Sequence, residues 1–578
     1  MKRLTCCLAW MFLLIGAVAA QDKEVKLKIV QTSDIHGNFY PHDFILQREA
    51  AGSLARVHAF VQKARETYKD NLILLDNGDI LQGQPTAYYY NYIDTVSLHV
   101  TADMLNFMGY DAANMGNHDV ETGRAVFDRW AGDCRAPVLG ANIIDTATGE
   151  PHFRPYKVLE RDGVKIAVLG MITPAIPVWL SENLWRGLRF DDTARKWMKI
   201  IREKERPDIV IGMFHAGQDA LLMGGKYREN ASLDVARNVP GFDIVLMGHD
   251  HARECKKVQN VAGDSVLVMD PASNGIVVSD IDITVTLRNG KVTDKQIDGV
   301  LTETAPYGIS GEFMERFSPQ YATIQDFVSK RIGRFTKTVS TRPAYFGSSA
   351  FIDLIHTLQL DISGAEISLA APLSYDTQIK EGDIYVYDMF NLYKYENMLY
   401  TMKLSGKEVH DALEMSYDLW TNRMTSPDDH ILLLRDQPRE GAADRAAFKN
   451  FSFNFDSAAG IIYTVDVTKP CGSKVTILSM ADGTSFHMDK MYTVALNSYR
   501  GNGGGELLTK GAGIPQDKLK ERIISSTDKD LRYYLMQYIE QKKVIEPRAL
   551  GQWKFIPEEW AVPASKRDYE FLFGTNRN

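Results

Sequence analysis

Short apolar runs recur through the first half of the chain, and each stops at a polar cluster. VKLKIVQT, NLILL, IVIGMF and IVLM have the length and β-branching of strands. Between them lie amphipathic stretches such as LARVHAFVQKARETY, whose apolar spacing predicts helices. This alternation continues to a further strand, SDIDITVTL, and a turn at Asn289-Gly290, after which the strand rhythm relaxes. Met314, Phe317, Tyr321, Ile324 and Val328 then recur at three- and four-residue spacing and predict one helix linking two units. The predicted boundaries are a first unit over 21–309, a linker helix over 310–340 and a second unit over 341–578. The second unit should hold a helix near AFIDLIHTLQL, a strand at AEISLAAP and a turn at Glu381-Gly382.

The residues that follow the strands of the first unit are metal-seeking. Asp34 and His36 lie in SDIHGN, Asp79 in NGDI, Asn117 and His118 in MGNHD, His215 in MFHAG, and His249 and His251 in MGHDHA. Five such segments in order specify two adjacent divalent cations. Cations held about 4 Å apart repel, so a carboxylate must bridge them, and Asp79 is the candidate. Imidazoles and the Asn117 amide oxygen complete two shells without over-neutralising the metals. One site would use Asp34, His36, Asp79 and His251; the other, Asp79, Asn117, His215 and His249. Zinc, manganese and cobalt all suit these ligands.

At 578 residues the chain exceeds what one hydrophobic core normally supports. Residues 1–20 read as an export leader: Lys2 and Arg3, an apolar stretch, then small residues before Gln21. Its removal would take the formal charge from −8 to −10, because Lys2 and Arg3 are its only charged residues. Long nucleic acid is excluded as a partner by that acidic balance. Cys134, Cys255 and Cys471 would remain, too few for a disulfide framework. A periplasmic or secreted protein without a stable membrane span is expected.

The order DxH, GD, GNH(D/E), H, GHxH resembles the calcineurin-like metallophosphoesterases. That resemblance covers roughly residues 25–300 and implies a four-layer αββα sandwich with the ligand loops at one edge. The second unit, in LYKYENMLYTMKLSGKEV, FNFDSAAGIIYTVDV and VALNSYRGNGGGELL, resembles the smaller α+β carboxy-terminal domain of secreted 5′-nucleotidase-type enzymes. LAAPLSYD, in place of the NGGGIR usual in the 5′-nucleotidase branch, points to the 2′,3′-cyclic-nucleotide 2′-phosphodiesterase/3′-nucleotidase branch.

By this resemblance Tyr395 and Tyr499 would clamp a nucleotide base, with Asn397 and Arg500 as further substrate-binding candidates. Asn117 would touch phosphate as well as metal. His118 would protonate the departing ribose oxygen, oriented by Glu121 or Asp119; a helix-starting cap is the competing role for Asp119. The implied activity is hydrolysis of 2′,3′-cyclic nucleotides and 3′-nucleotides to nucleoside and phosphate by metal-activated hydroxide attack. A 5′-nucleotidase or UDP-sugar hydrolase is the alternative, and a non-catalytic nucleotide-binding protein the remote one.

Overall fold

The structure is a computed structural model that describes residues 22–219, 222–223, 227–435 and 447–574. The leader-like segment lies outside the described residues. Two six-stranded sheets form the amino-terminal domain. One runs Lys291–Glu303, Val277–Arg288, Lys23–Thr32, Leu72–Asp76, Ala112–Asn114, Val138–Leu139 in spatial order. The other runs Arg253–Gln259, Ser265–Pro271, Ile244–Leu246, Ile209–His215, Val164–Ile172, Tyr156–Arg161.

Side-chain alternation along these strands produces the layers. Leu27, Ile29, Ile73 and Leu75 meet Ile166, Val168, Ile209 and Ile211 between the sheets. Val30, Leu72 and Leu74 instead pack on Leu54, Val57 and Val61 of the helix Leu54–Tyr68. On the far side Ala167, Leu169 and Val210 pack on Trp197, Met198 and Ile201 of the helix Ala194–Lys204. Strands covered on both faces read as continuous apolar runs, which is why they stood out in the sequence. The result is the expected αββα sandwich.

Two expectations need correction. After Asn289-Gly290 the sheet continues as Lys291–Glu303, paired along its length with Val277–Arg288. Its polar sequence, KVTDKQIDGVLTE, hid it, because an edge strand needs little apolar cover. The linker helix is two helices, Gly311–Arg316 and Ser318–Val328, broken at Phe317. Pro319 supplies no backbone donor and starts a new helix instead of continuing the old one. Phe313, Phe317, Ile324 and Val328 all pack against the first domain.

The carboxy-terminal domain centres on a mixed sheet in the order Ser457–Ala459, Ile367–Ala370, Met491–Asn497, Met398–Ser405, Ile523–Asp530. The helices Ala350–Ser363 and Gly406–Trp420 pack beside it. Among the described residues, no helix is long and apolar enough to cross a membrane.

Candidate active site

The strands Lys23–Thr32, Leu72–Asp76, Ala112–Asn114, Ile209–His215 and Ile244–Leu246 all lie parallel to a neighbour. Their carboxyl ends therefore share one edge of the sandwich, where all seven proposed metal ligands lie at or just beyond strand ends. Asp34, His36, Asp79, His249 and His251 each adopt a left-handed backbone, with φ between 48° and 78°. That conformation is costly for residues with a side chain and clusters at sites that require a fixed geometry. Tight packing fixes the loops further: a Cβ on Gly116 would lie 2.1 Å from Asp79 Oδ1.

Two groups of donors result. Asp34, His36 and His251 form the first, with His251 Nε2 3.1 Å from His36 Nε2 and 3.3 Å from Asp34 Oδ1. Asp79, His215 and His249 form the second. His215 Nε2 lies 3.1 Å from both Asp79 Oδ2 and Asn117 Oδ1, and His249 Nδ1 lies 2.8 Å from the same amide oxygen. His215 Nδ1 donates to the Asn77 carbonyl at 2.7 Å, which leaves Nε2 as the ring atom that faces Asp79.

The charge balance suits cations. Burial would raise the Asp34 carboxyl, yet His215 and His251 hold it at about 2. Burial would equally lower His215, but Asp79 and Asp34 pull it up to about 10, drawing on a proton where a cation would otherwise supply the charge. Burial and His251 depress His36 to about 3, so its imidazole is neutral and free to ligate. Carboxylate, imidazole and amide donors converging in this way fit two divalent ions.

His118 stands beside these groups. Its backbone N–H donates to Asp79 Oδ1 at 2.8 Å, and its ring centroid is 5.5 Å from that of His36. Its Nδ1 meets Glu121 Oε2 at 2.5 Å. Burial opposes protonation of this imidazole, but Asp79 and Glu121 raise it to about 10, with a smaller contribution from Tyr395. Asp119 takes the helix-capping role that the sequence leaves open beside the orienting one. Its carboxylate accepts the N–H groups of Gly116, Asp79, Ile80 and Leu81 at 2.8–2.9 Å, as the cap of the short helix Asn117–Glu121. Asp119 thereby pins the Asp79 loop.

The carboxy-terminal residues approach from the other side. Burial pushes the Tyr499 hydroxyl up to about 12 against the pull of Arg500, with Glu229 and Tyr395 adding to the rise. Phe453 meets Tyr499 edge-on with ring centroids 6.1 Å apart. Asn397 is buried at the start of the strand Met398–Ser405. Arg500 is only 2% exposed: its Nε and Nη2 bond Asp456 at 2.8 and 2.9 Å, and it also reaches the Phe453 and Gly504 carbonyls. The guanidinium thus secures the loop that carries Tyr499.

Residues 27–253 match the calcineurin-like phosphoesterase family, and residues 331–510 match the 5′-nucleotidase C-terminal domain. The chain is a calcineurin-like phosphoesterase with a 5′-nucleotidase C-terminal domain. The trifunctional nucleotide phosphoesterase protein YfkN of Bacillus subtilis is 27% identical over 94% of this chain, which spans only 40% of YfkN. A 2′,3′-cyclic-nucleotide 2′-phosphodiesterase/3′-nucleotidase of Haemophilus influenzae is 26% identical, over 94% of this chain and 89% of that protein. A solved 5′-nucleotidase precursor from Thermus thermophilus shares the fold with a TM-score of 0.62 at 21% identity, covering 92% of this chain and all of that one.

In this phosphoesterase, two residues that no motif announced also contact the His249 ring. Glu229 accepts from His249 Nε2 at 2.9 Å, which fixes the tautomer that turns Nδ1 toward Asn117. Trp179 stacks on the same ring at 5.6 Å and 24°, and its carbonyl accepts from Asn502 of the C-terminal domain at 3.2 Å. Neither has a sequence signal, since Glu229 lies twenty residues from His249 and Trp179 seventy.

Proposed function

We propose that this enzyme hydrolyses 2′,3′-cyclic nucleotides and 3′-nucleotides to nucleoside and phosphate. The observation that carries the reading is the pairing of His118 with Glu121 beside two cation-fitting donor groups, with Tyr395 of the second domain close to the same histidine. LAAPLSYD and the Haemophilus influenzae relative support the choice of substrate.

Two divalent ions, held by Asp34, His36, Asp79 and His251 and by Asp79, Asn117, His215 and His249, would neutralise phosphate oxygens and lower the pKa of the attacking water. Tyr395 and Tyr499 hold the base between their rings, a mode that accepts many bases because each has a π-face. Asn397 lies in the Tyr395 segment, and Arg500 keeps the Tyr499 loop in place. Water attacks phosphorus in line with the ester bond that breaks. His118 delivers a proton to the departing ribose oxygen, while Glu121 holds the ring through Nδ1. With a cyclic substrate the P–O2′ bond breaks first and leaves a 3′-monoester. Rebinding presents O3′ to His118, and phosphate is released.

The same reading places the mature enzyme outside the cytoplasm, supported by the leader-like residues 1–20. The test is kcat/KM across 2′,3′-cyclic AMP, 3′,5′-cyclic AMP, 3′-AMP, 5′-AMP and a UDP-sugar. Preference for 2′,3′-cyclic AMP and 3′-AMP supports the proposal. Preference for 5′-AMP or the UDP-sugar replaces it with the 5′-nucleotidase reading, and no turnover by the metal-loaded protein would favour a nucleotide-binding role.

A further inference from the structure

The helix Pro85–Tyr92 connects the metal loops to the clamp. Just before its first residue the Gln84 N–H donates to the His36 carbonyl at 3.0 Å, and near its other end Asn91 Nδ2 donates to the Leu81 carbonyl at 2.7 Å. The helix is thereby tied to two ligand loops. Its tyrosines cross to the C-terminal domain. Tyr88 is buried in that domain's core with Met389, Phe390 and Leu531, its hydroxyl 3.4 Å from Asp530 Oδ2. The Tyr92 hydroxyl donates to Glu396 Oε2 at 3.0 Å.

Glu396 follows Tyr395 directly and is 3% exposed. Its second oxygen, Oε1, faces Arg532 Nη1 at 3.4 Å. Arg532 is fully buried and donates to the carbonyls of Tyr393 and Lys394 at 3.1 and 2.7 Å, with its guanidinium 4.2 Å from the Phe390 ring centroid. Residues on both sides of Tyr395 are therefore held by one buried cluster. Tyr88 and Tyr92 bring the metal-binding domain into this cluster.

We infer that the Tyr92 to Glu396 hydrogen bond, backed by Arg532, positions Tyr395 over the metal centre and so sets which ribose oxygen reaches His118. The inference rests on the nucleotide reading above for the role of Tyr395. Neither Tyr92 nor Glu396 touches a metal ligand, so both act as positioning residues. A bond confined to one domain would only stabilise that domain, whereas this one spans the two halves of the site. Removing its donor leaves a buried acceptor unsatisfied when the domains are closed, and a more open arrangement would rehydrate it.

The test uses Tyr92→Phe, which conserves ring volume, and Glu396→Gln, which keeps an acceptor for Tyr92. Tyr92→Phe should lower kcat/KM for 3′-AMP by about tenfold, with a much smaller loss on a small aryl phosphate. Glu396→Gln should retain most of the nucleotide activity. In a Tyr395→Ala background, Tyr92→Phe should cost little more, because the residue through which it acts is gone. A second measurement needs no turnover. Cys255 and Cys471 are free, exposed and in different domains, so the full chain with Cys6, Cys7 and Cys134 replaced by Ser carries a label pair. The distance distribution between spin labels there should broaden in Tyr92→Phe and stay narrow in Glu396→Gln. An unchanged distribution, or equal losses on nucleotide and aryl phosphate, overturns the inference. A broadened distribution in a protein that hydrolyses no nucleotide would uphold the positioning contact while refuting the nucleotide reading.

Discussion

His118 and Glu121 sit three residues apart on one helical turn, with Nδ1 and Oε2 2.5 Å apart. The contact leaves His118 Nε2 as the atom free to serve a leaving group. His118→Asn should keep its metals yet lose about a hundredfold or more in kcat on ribose esters. An activated aryl phosphate, whose leaving group needs no proton, should lose far less. Equal losses on both substrates would assign His118 to charge stabilisation instead. Glu121→Gln should fall between wild type and His118→Asn in kcat, with KM little changed.

Asp79 is the one ligand shared by both proposed metal sites; its Oδ2 lies 3.1 Å from His215 Nε2, and its Oδ1 accepts the His118 N–H at 2.8 Å. Metal analysis should find both positions weakened in Asp79→Asn and chiefly one in His251→Ala. Two tightly held ions and full activity in Asp79→Asn would remove the bridge from the account.

The clamp is separable from the chemistry because it belongs to the other domain. Tyr395→Ala and Tyr499→Ala should each weaken nucleotide turnover by roughly 1 to 3 kcal/mol, the range for stacking one base on an aromatic ring. Small aryl phosphates should show a much smaller effect. Equal losses on both substrates, in variants with wild-type unfolding temperature, would make these rings structural.

The donor set was legible because four of the five ligand segments follow an apolar run within a few residues, so local sequence carries their position. The long-range contacts that hold the ligands and the clamp were not. Glu229 reaches His249, and Tyr92 reaches Glu396, only after the chain has folded across 20 and 304 positions. Asp119 and Glu121 were ambiguous for a different reason: both are carboxylates within a turn of His118, and helix direction alone sends one to the backbone amides and the other to the ring. The strand Lys291–Glu303 escaped notice because its exposed face gave it a polar sequence.

Burial lifts the Glu396 carboxyl from 4.5 to about 7 despite Arg532, with Asp530 and Glu121 adding to the rise. The folded protein thus keeps a proton that the unfolded chain releases between those values. Its stabilising contribution is complete below about pH 4.5 and is lost as pH rises through about 7. Unfolding midpoints of wild type and Glu396→Gln, compared across that window, should shift steadily in favour of the variant. A pH-independent difference would show that Glu396 does not titrate there.

The most direct measurement follows 2′,3′-cyclic AMP by phosphorus NMR with the metal-loaded enzyme. 3′-AMP should appear first and then decline as adenosine and inorganic phosphate accumulate, with His118→Asn slowing both steps. Accumulation of 2′-AMP, or an inert cyclic substrate beside rapid hydrolysis of 5′-AMP, would contradict the proposed function.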